Sequence, residues 1–172
     1  MLDDFVDDAP WVPDTQLLVD VVIDNQIAGV RLQRLCSNAD VRGALTVLGS
    51  DLQDPSFAAP HVYHVLSEPG SVRAWVYHRL QSDRLAYLIG DFRVVLFDAR
   101  SDSATSGQMN VLDVGAANPL QLTIPPYVVH GVQNRGQTVS WFINMPTRSY
   151  DPARPDKSRV RADHPGIPYR FD

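Results

Sequence analysis

The chain has 172 residues, 20 acidic and 15 basic side chains and a formal charge of −5. That balance argues against a phosphate-neutralising nucleic-acid surface, and no apolar run approaches the roughly 18 residues of a membrane span. The one cysteine, Cys36, excludes an internal disulfide and a cysteine-based zinc site, and an acidic MLDDFVDDAP in place of a basic leader points to a cytoplasmic chain.

Glu68 is the one glutamate and Lys157 the one lysine, so the charged surface is Asp and Arg, with 13 Pro and 10 Gly besides. Residues that fill exposed helix faces are nearly missing, which disfavours a helical protein. Residues 1–40 hold eight acids and two bases, so the negative excess sits at the start. Residues 1–15 are expected to be a flexible acidic segment.

In chain order, Gln16–Ile23 and Gly29–Leu35 read as the first strands, followed by a polar turn at Asn38–Gly43 and a short strand at Ala44–Leu48. From His61 the strand signal is dense: His61–Leu66, Ser71–Tyr77, Arg84–Ile89 and Phe92–Asp98. Gly107–Val114, Leu120–Ile124, Val128–Gln133 and Val139–Asn144 follow a polar loop at Ala99–Ser106. Such spacing, punctuated by Gly, Pro, Asn and Asp, predicts an all-β sandwich or barrel. Residues 146–172, with five prolines, are expected to leave the sheet and run extended over it, within one domain spanning 1–172.

Two spacings carry the most information. Gly70, five residues, Val76-Tyr77-His78, four residues, Asp83, six residues and Gly90 match the first cupin motif in spacing. Its first histidine is replaced by Val76, and its glutamate by the shorter Asp83. Pro125, His130 and Asn134 match the second motif, with Tyr127 in the glycine place. The pair points to a cupin double-stranded β-helix, or jelly roll. Metal is not expected, because only two imidazoles and one short carboxylate remain where three or four ligands are usual. Strand alternation puts Val76 and His78 on one face, toward the barrel interior, and Tyr77 on the other. His78 reads either as a core histidine or as a functional one; His130, after the Pro-Pro turn, is the stronger catalytic candidate.

At these residues the chain resembles the dTDP-4-dehydrorhamnose 3,5-epimerase family of nucleotide-sugar cupins, from about Asp40 to Tyr169. The matching segments are Asp40-Val-Arg42-Gly43, Val72–Tyr77, Arg84–Gly90, Leu96–Gly107 and Ile124–Val132. Tyr150-Asp151-Pro152 and Asp163-His-Pro165 resemble the family's closing segments. The resemblance implies metal-free and cofactor-free proton abstraction beside the ketone of a dTDP-4-keto-6-deoxyhexose. A base, a cation or donor at the developing enolate oxygen and an acid on the opposite face are then needed.

Carried over by resemblance, Arg73 precedes the base position and Arg42 is the turn arginine, each a diphosphate contact or an ordinary surface arginine. Arg84 falls at the keto-oxygen lysine, His130 at the barrel-lip histidine and Asp163 at the backing aspartate. Tyr63 is a further candidate substrate contact. The base itself falls on Val76, and the acid tyrosine on or near Asn144, with Phe142 the nearest aromatic. His78 is the candidate replacement base. Three readings stay open: an enzyme with altered chemistry on a nucleotide-linked keto sugar, an inactive sugar-nucleotide-binding or accessory cupin, and a cupin acting on an unrelated small ligand in a natural-product or polysaccharide pathway. A homodimer is implied by the resemblance.

Overall fold

The computed structural model describes Val6, Asp7, Pro10 and residues 18–172; the acidic start expected over 1–15, and the first two residues of the first expected strand, lie mostly outside the described residues. Thirteen strands and no helix occur among the described residues. They are β1 (Leu18–Val21), β2 (Arg31–Leu35), β3 (Ser37–Asp40), β4 (Gly43–Thr46), β5 (Tyr63–Ser67), β6 (Val72–His78) and β7 (Asp83–Ile89). The second half adds β8 (Asp91–Asp98), β9 (Met109–Gly115), β10 (Leu120–Ile124), β11 (Val128–Asn134), β12 (Ser140–Asn144) and β13 (Lys157–Arg159). No helix of the described residues is long and apolar enough to cross a membrane.

All pairings are antiparallel, in two main sheets of order β1-β2-β10-β7-β12-β5 and β13-β6-β11-β8-β9. Their inner faces alternate along each strand, as a half-buried pleat requires. Leu85 and Tyr87 of β7, Phe92, Val94 and Leu96 of β8, and Phe142 of β12 meet in one core cluster. The rings of Tyr87, Phe92 and Phe142 pack at centroid separations of 5.0–5.7 Å. This is the jelly roll that the two motif spacings predict.

The glycine that ends the first motif makes the β7–β8 corner. Gly90 has φ +90°, and a Cβ there would stand 2.2 Å from Ser140 Oγ, so both backbone sign and space require glycine.

Two local readings of the sequence are corrected. Asn38–Gly43 is not simply a polar turn: Ser37–Asp40 is a strand, paired with β4 in a two-stranded hairpin, and Asp40 pairs with Gly43 across its tip. The tail leaves the sheet after β12 but returns, because Lys157–Arg159 adds a strand to the edge of β6. Beyond it, Ile167, Tyr169 and Phe171 pack over Trp75 on the outer face of β6, removing a fully buried indole from water. Tyr77 stands on that same outer side, stacked on Tyr127 at 5.8 Å.

Candidate active site

Three side chains from three strands meet at Asp83. The Nε2 atoms of His78 (β6) and His130 (β11) both lie 3.3 Å from Asp83 Oδ2 (β7). The two imidazoles are stacked at 6.3 Å. Asp83 Oδ1 accepts from Gln81 Nε2 at 2.9 Å and from Asn144 Nδ2 at 3.0 Å. Burial opposes ionisation of this carboxyl, but the contacts to His130 and His78 outweigh it and hold the group well below the usual carboxylate range. The buried centre is therefore an anion held by two amide donors and flanked by two imidazoles, the kind of polar surround that makes a buried charge tolerable.

The two histidines differ in what their other nitrogen meets. His130 Nδ1 is 3.1 Å from the carbonyl oxygen of Val128. A carbonyl only accepts, so Nδ1 carries the hydrogen and the lone pair of the neutral ring is on Nε2. A proton taken at Nε2 is met at once by Asp83. His78 Nδ1 has no hydrogen-bond partner and lies 3.6 Å from Asp156 Oδ2. That carboxylate is held by the backbone N–H groups of Arg79, Leu80 and Gln81. His78 thus stands between two carboxylates, whereas His130 stands between one carboxylate and a carbonyl oxygen.

A second network touches the first. Asn144 and Tyr63 are register partners on β12 and β5, and Asn144 Nδ2 donates to Tyr63 Oη at 2.8 Å. Burial and the charge of Asp83 push the Tyr63 phenol up, against the bond from Asn144. Both residues belong to the sheet that faces the one carrying His130.

Between the sheets is a cavity of about 450 Å³, large enough for a hexose ring. Tyr63, His78, Asp83, His130 and Asn144 form its polar side, and Leu85, Val94, Val132 and Phe142 its apolar side. Tyr87 also borders this cavity, and its hydroxyl is fully buried and without a protein partner. Cations enter from the tail. Lys157 pairs in register with His78 and Arg159 with Val76, which places both on the cavity face of β13. Burial, followed by the charge of Arg159, pulls the Lys157 ammonium below the ordinary lysine range; Asp83 works in the opposite direction. Arg73 joins them because the β6–β11 register slips by one residue between His130 and Val132, so Arg73 pairs with the inward-facing Val132. A second cavity of about 500 Å³ adjoins the first, sharing Tyr63, His78 and Lys157, and takes Arg148, Tyr150 and Arg154 from the tail. No group of three or more His, Cys, Asp or Glu side chains among the described residues is disposed to hold a metal ion.

The chain is 34% identical over 146 residues to the spore coat polysaccharide biosynthesis protein SpsL of Bacillus subtilis, spanning 85% of this chain and 97% of that protein. The chain belongs to the dTDP-4-dehydrorhamnose 3,5-epimerase family. The probable low-salt glycan biosynthesis epimerase Agl13 of Haloferax volcanii is 35% identical over 139 residues, covering 80% of this chain and 89% of its own. Among solved structures, a dTDP sugar isomerase of Desulfovibrio desulfuricans superposes with a TM-score of 0.80 at 27% identity, covering 88% of this chain and 95% of that one. The dTDP-4-dehydrorhamnose 3,5-epimerase of Sulfolobus tokodaii shares the fold, with a TM-score of 0.70 at 22% identity over 84% and 82% of the two chains. No family model matches the chain.

Against the roles that family membership suggested from sequence, the structure brings His130, His78, Tyr63 and Arg73 to one cavity. Three other candidates lie elsewhere. Arg84 follows Asp83 on β7, so pleat alternation sends it to the opposite face. There it bonds the Ala58 carbonyl at 2.7 Å and covers the Phe57 ring at 4.9 Å. Asp163 is exposed and bound by Arg161 at 2.6 and 2.9 Å, so it backs neither histidine; Asp83 holds that place. Arg42 is exposed at the β3–β4 tip, where it pairs with Asp40.

Sequence reasoning missed Asn144, Lys157 and Arg159 as site residues, and weighed Asp83 only as a short metal ligand. Lys157 carried a signal, being the one lysine of the chain, but its place in a proline-rich tail gave no hint of a strand.

Proposed function

We propose that this member of the family moves a proton at a carbon beside the ketone of a nucleotide-linked 4-keto-6-deoxy sugar, epimerising or isomerising it. The observation that carries this reading is the His130–Asp83 pair: an imidazole on the lining of a hexose-sized cavity, its Nδ1 committed to a carbonyl and its Nε2 beside a buried carboxylate.

The chemistry follows from that pair. His130 Nε2 takes the proton from the carbon; the C–H electron pair becomes the C=C bond of an enolate, and the carbonyl oxygen gains the negative charge. Asp83 stabilises the imidazolium. Lys157 is the cation set to meet the enolate oxygen, in a half-buried position where a charge is worth more than in water. The apolar side of the cavity, with Leu85 and Phe142, suits the methyl group of a 6-deoxy sugar. The adjoining cavity, with Arg148 and Arg154, suits the nucleoside diphosphate. The chain thus keeps proton chemistry although Val76 stands in the place of the family's base.

A homodimer belongs to the same reading. β1 ends its sheet, and the β3–β4 hairpin holds Val41 and Leu45 in solvent. Both are surfaces for a second copy, and light scattering distinguishes a dimer from a monomer.

The test is incubation with dTDP-4-keto-6-deoxyglucose in deuterated water, following C3 and C5 by NMR. Deuterium entering at either carbon is the expected result. Binding without exchange makes the chain a sugar-nucleotide binder instead, and absence of binding removes the nucleotide sugar from the account.

A further inference from the structure

The His130 base leaves the second half of an inversion without an owner: something must deliver a proton to the other face of the ring. Sequence places that acid on or near Asn144, whose amide is not an acid. The geometry around Asn144 shows where the role has gone.

The orientation of the Asn144 amide is fixed by two neighbours. Its Oδ1 accepts from the backbone N–H of Arg84 at 3.3 Å, and its Nδ2 donates to Asp83 Oδ1 at 3.0 Å. A flipped amide would set oxygen against the carboxylate and nitrogen against an N–H, losing both bonds. The nitrogen is therefore the atom that reaches Tyr63 Oη at 2.8 Å, and because it only donates, the phenol oxygen accepts. The Tyr63 hydroxyl proton is left free of that bond. The residue lines the cavity, so the proton is available to a molecule held there.

The two sheets give the stereochemistry. Tyr63 belongs to β5 in one sheet and His130 to β11 in the facing sheet, and both side chains line the space between. A ring lying in that space presents one face to each. We propose that Tyr63 is the acid that returns a proton to the face opposite His130, with Asn144 as its positioning residue. The acid has been transposed one strand across the sheet, to the register partner of the position where sequence expects it.

The step balances. His130 Nε2 gains the proton of the C–H bond. The enolate pair then forms a new C–H bond with the Tyr63 hydroxyl hydrogen as the carbonyl reforms, and the phenolate left behind is reprotonated from water, as His130 returns its proton to solvent. One proton leaves the carbon and one arrives, with no oxidant or cofactor.

The assignment rests on the proton-transfer reading above, and one experiment separates them. Wild type, Tyr63→Phe and Asn144→Ala are compared on dTDP-4-keto-6-deoxyglucose in deuterated water, measuring deuterium uptake and inverted product independently. Tyr63→Phe keeps the ring and removes the proton. It is expected to keep uptake within about tenfold, through return from His130 on the same face, while inversion falls by about 10²-fold or more. Asn144→Ala is expected to shift the ratio of uptake to inversion in the same direction by a smaller factor, which loss of packing alone would not do. Inversion by Tyr63→Phe at the wild-type rate, or equal loss of uptake and inversion in both variants, overturns the assignment of Tyr63 and leaves His130 in place. Absence of uptake in wild type overturns both.

Discussion

Val76 and His130 are register partners on β6 and β11. The imidazole therefore stands directly across the strand from the position where sequence places the missing base. Losing a histidine at position 76 does not leave the cavity without one, because the neighbouring strand presents its own to the same space. Tyr63 repeats the pattern beside Asn144. In both cases a side chain of the required chemistry stands on the strand next to the expected one.

Asp83 ties this arrangement to stability. Its folded-state pKa is depressed, so its contribution is fully present above the unfolded carboxylate value of about 4 and is lost as pH falls through the folded value. Asp83→Asn is expected to cost about 3 kcal/mol at pH 7, since it removes the buried carboxylate that Gln81 and Asn144 donate to and that both imidazoles face. The gap from wild type should close as pH is lowered below about 4. Urea unfolding of both proteins at a series of pH values reads this directly, and a gap that stays constant with pH counts against it.

Lys157→Met is expected to lower kcat by about 10²-fold with little change in dTDP affinity, as removal of a charge stabiliser does. Lys157→Arg should recover part of the loss. Because burial and Arg159 pull the ammonium down, the alkaline limb of the kcat/KM profile should set in below the ordinary lysine range and move upward in Lys157→Arg. Steady-state kinetics between pH 6 and about 10.5 checks both.

Tyr87 carries a fully buried hydroxyl without a protein partner. Removing an unsatisfied buried polar group relieves a desolvation cost of about 1 kcal/mol or more, so Tyr87→Phe should hold or raise the Tm. Thermal melts of wild type and Tyr87→Phe check this, and a clearly lower Tm in the variant counts against it.

Arg84→Ala serves as the contrast. The guanidinium packs on Phe57 outside the cavity, so the variant should lose about 1 kcal/mol of stability and keep its exchange rate within about twofold. A large loss of exchange in a folded variant would bring Arg84 back toward the ketone.

The strands were legible because hydrophobic alternation and the turn residues agree over most of the chain. The cupin spacing from Gly70 to Gly90 is realised as β6, a connection, β7 and its glycine corner. Alternation also put Val76 and His78 on the inner face and Tyr77 outside, as found. The site was only partly legible. Arg84 was matched to a cation position by its charge, whereas its neighbour Asp83 occupies the inward place; a shift of one residue on a strand reverses the face. Arg73 reaches the cavity by a register slip that no pattern in the sequence announces. The tail read as an irregular proline-rich segment, because three residues of edge strand are too few to give a period. Cross-strand replacement is likewise invisible along the chain, since Tyr63 and Asn144 are 81 residues apart and become neighbours only through β5–β12 pairing.

The most direct measurement is deuterium uptake from solvent into dTDP-4-keto-6-deoxyglucose by wild type and by His130→Asn, side by side and at equal enzyme concentration. Wild type should label C3 or C5, and His130→Asn should do so at least about 10²-fold more slowly while still binding dTDP. Equal labelling by the two proteins would contradict the assignment of His130 as the base, and an unlabelled sugar with wild type would contradict proton transfer altogether.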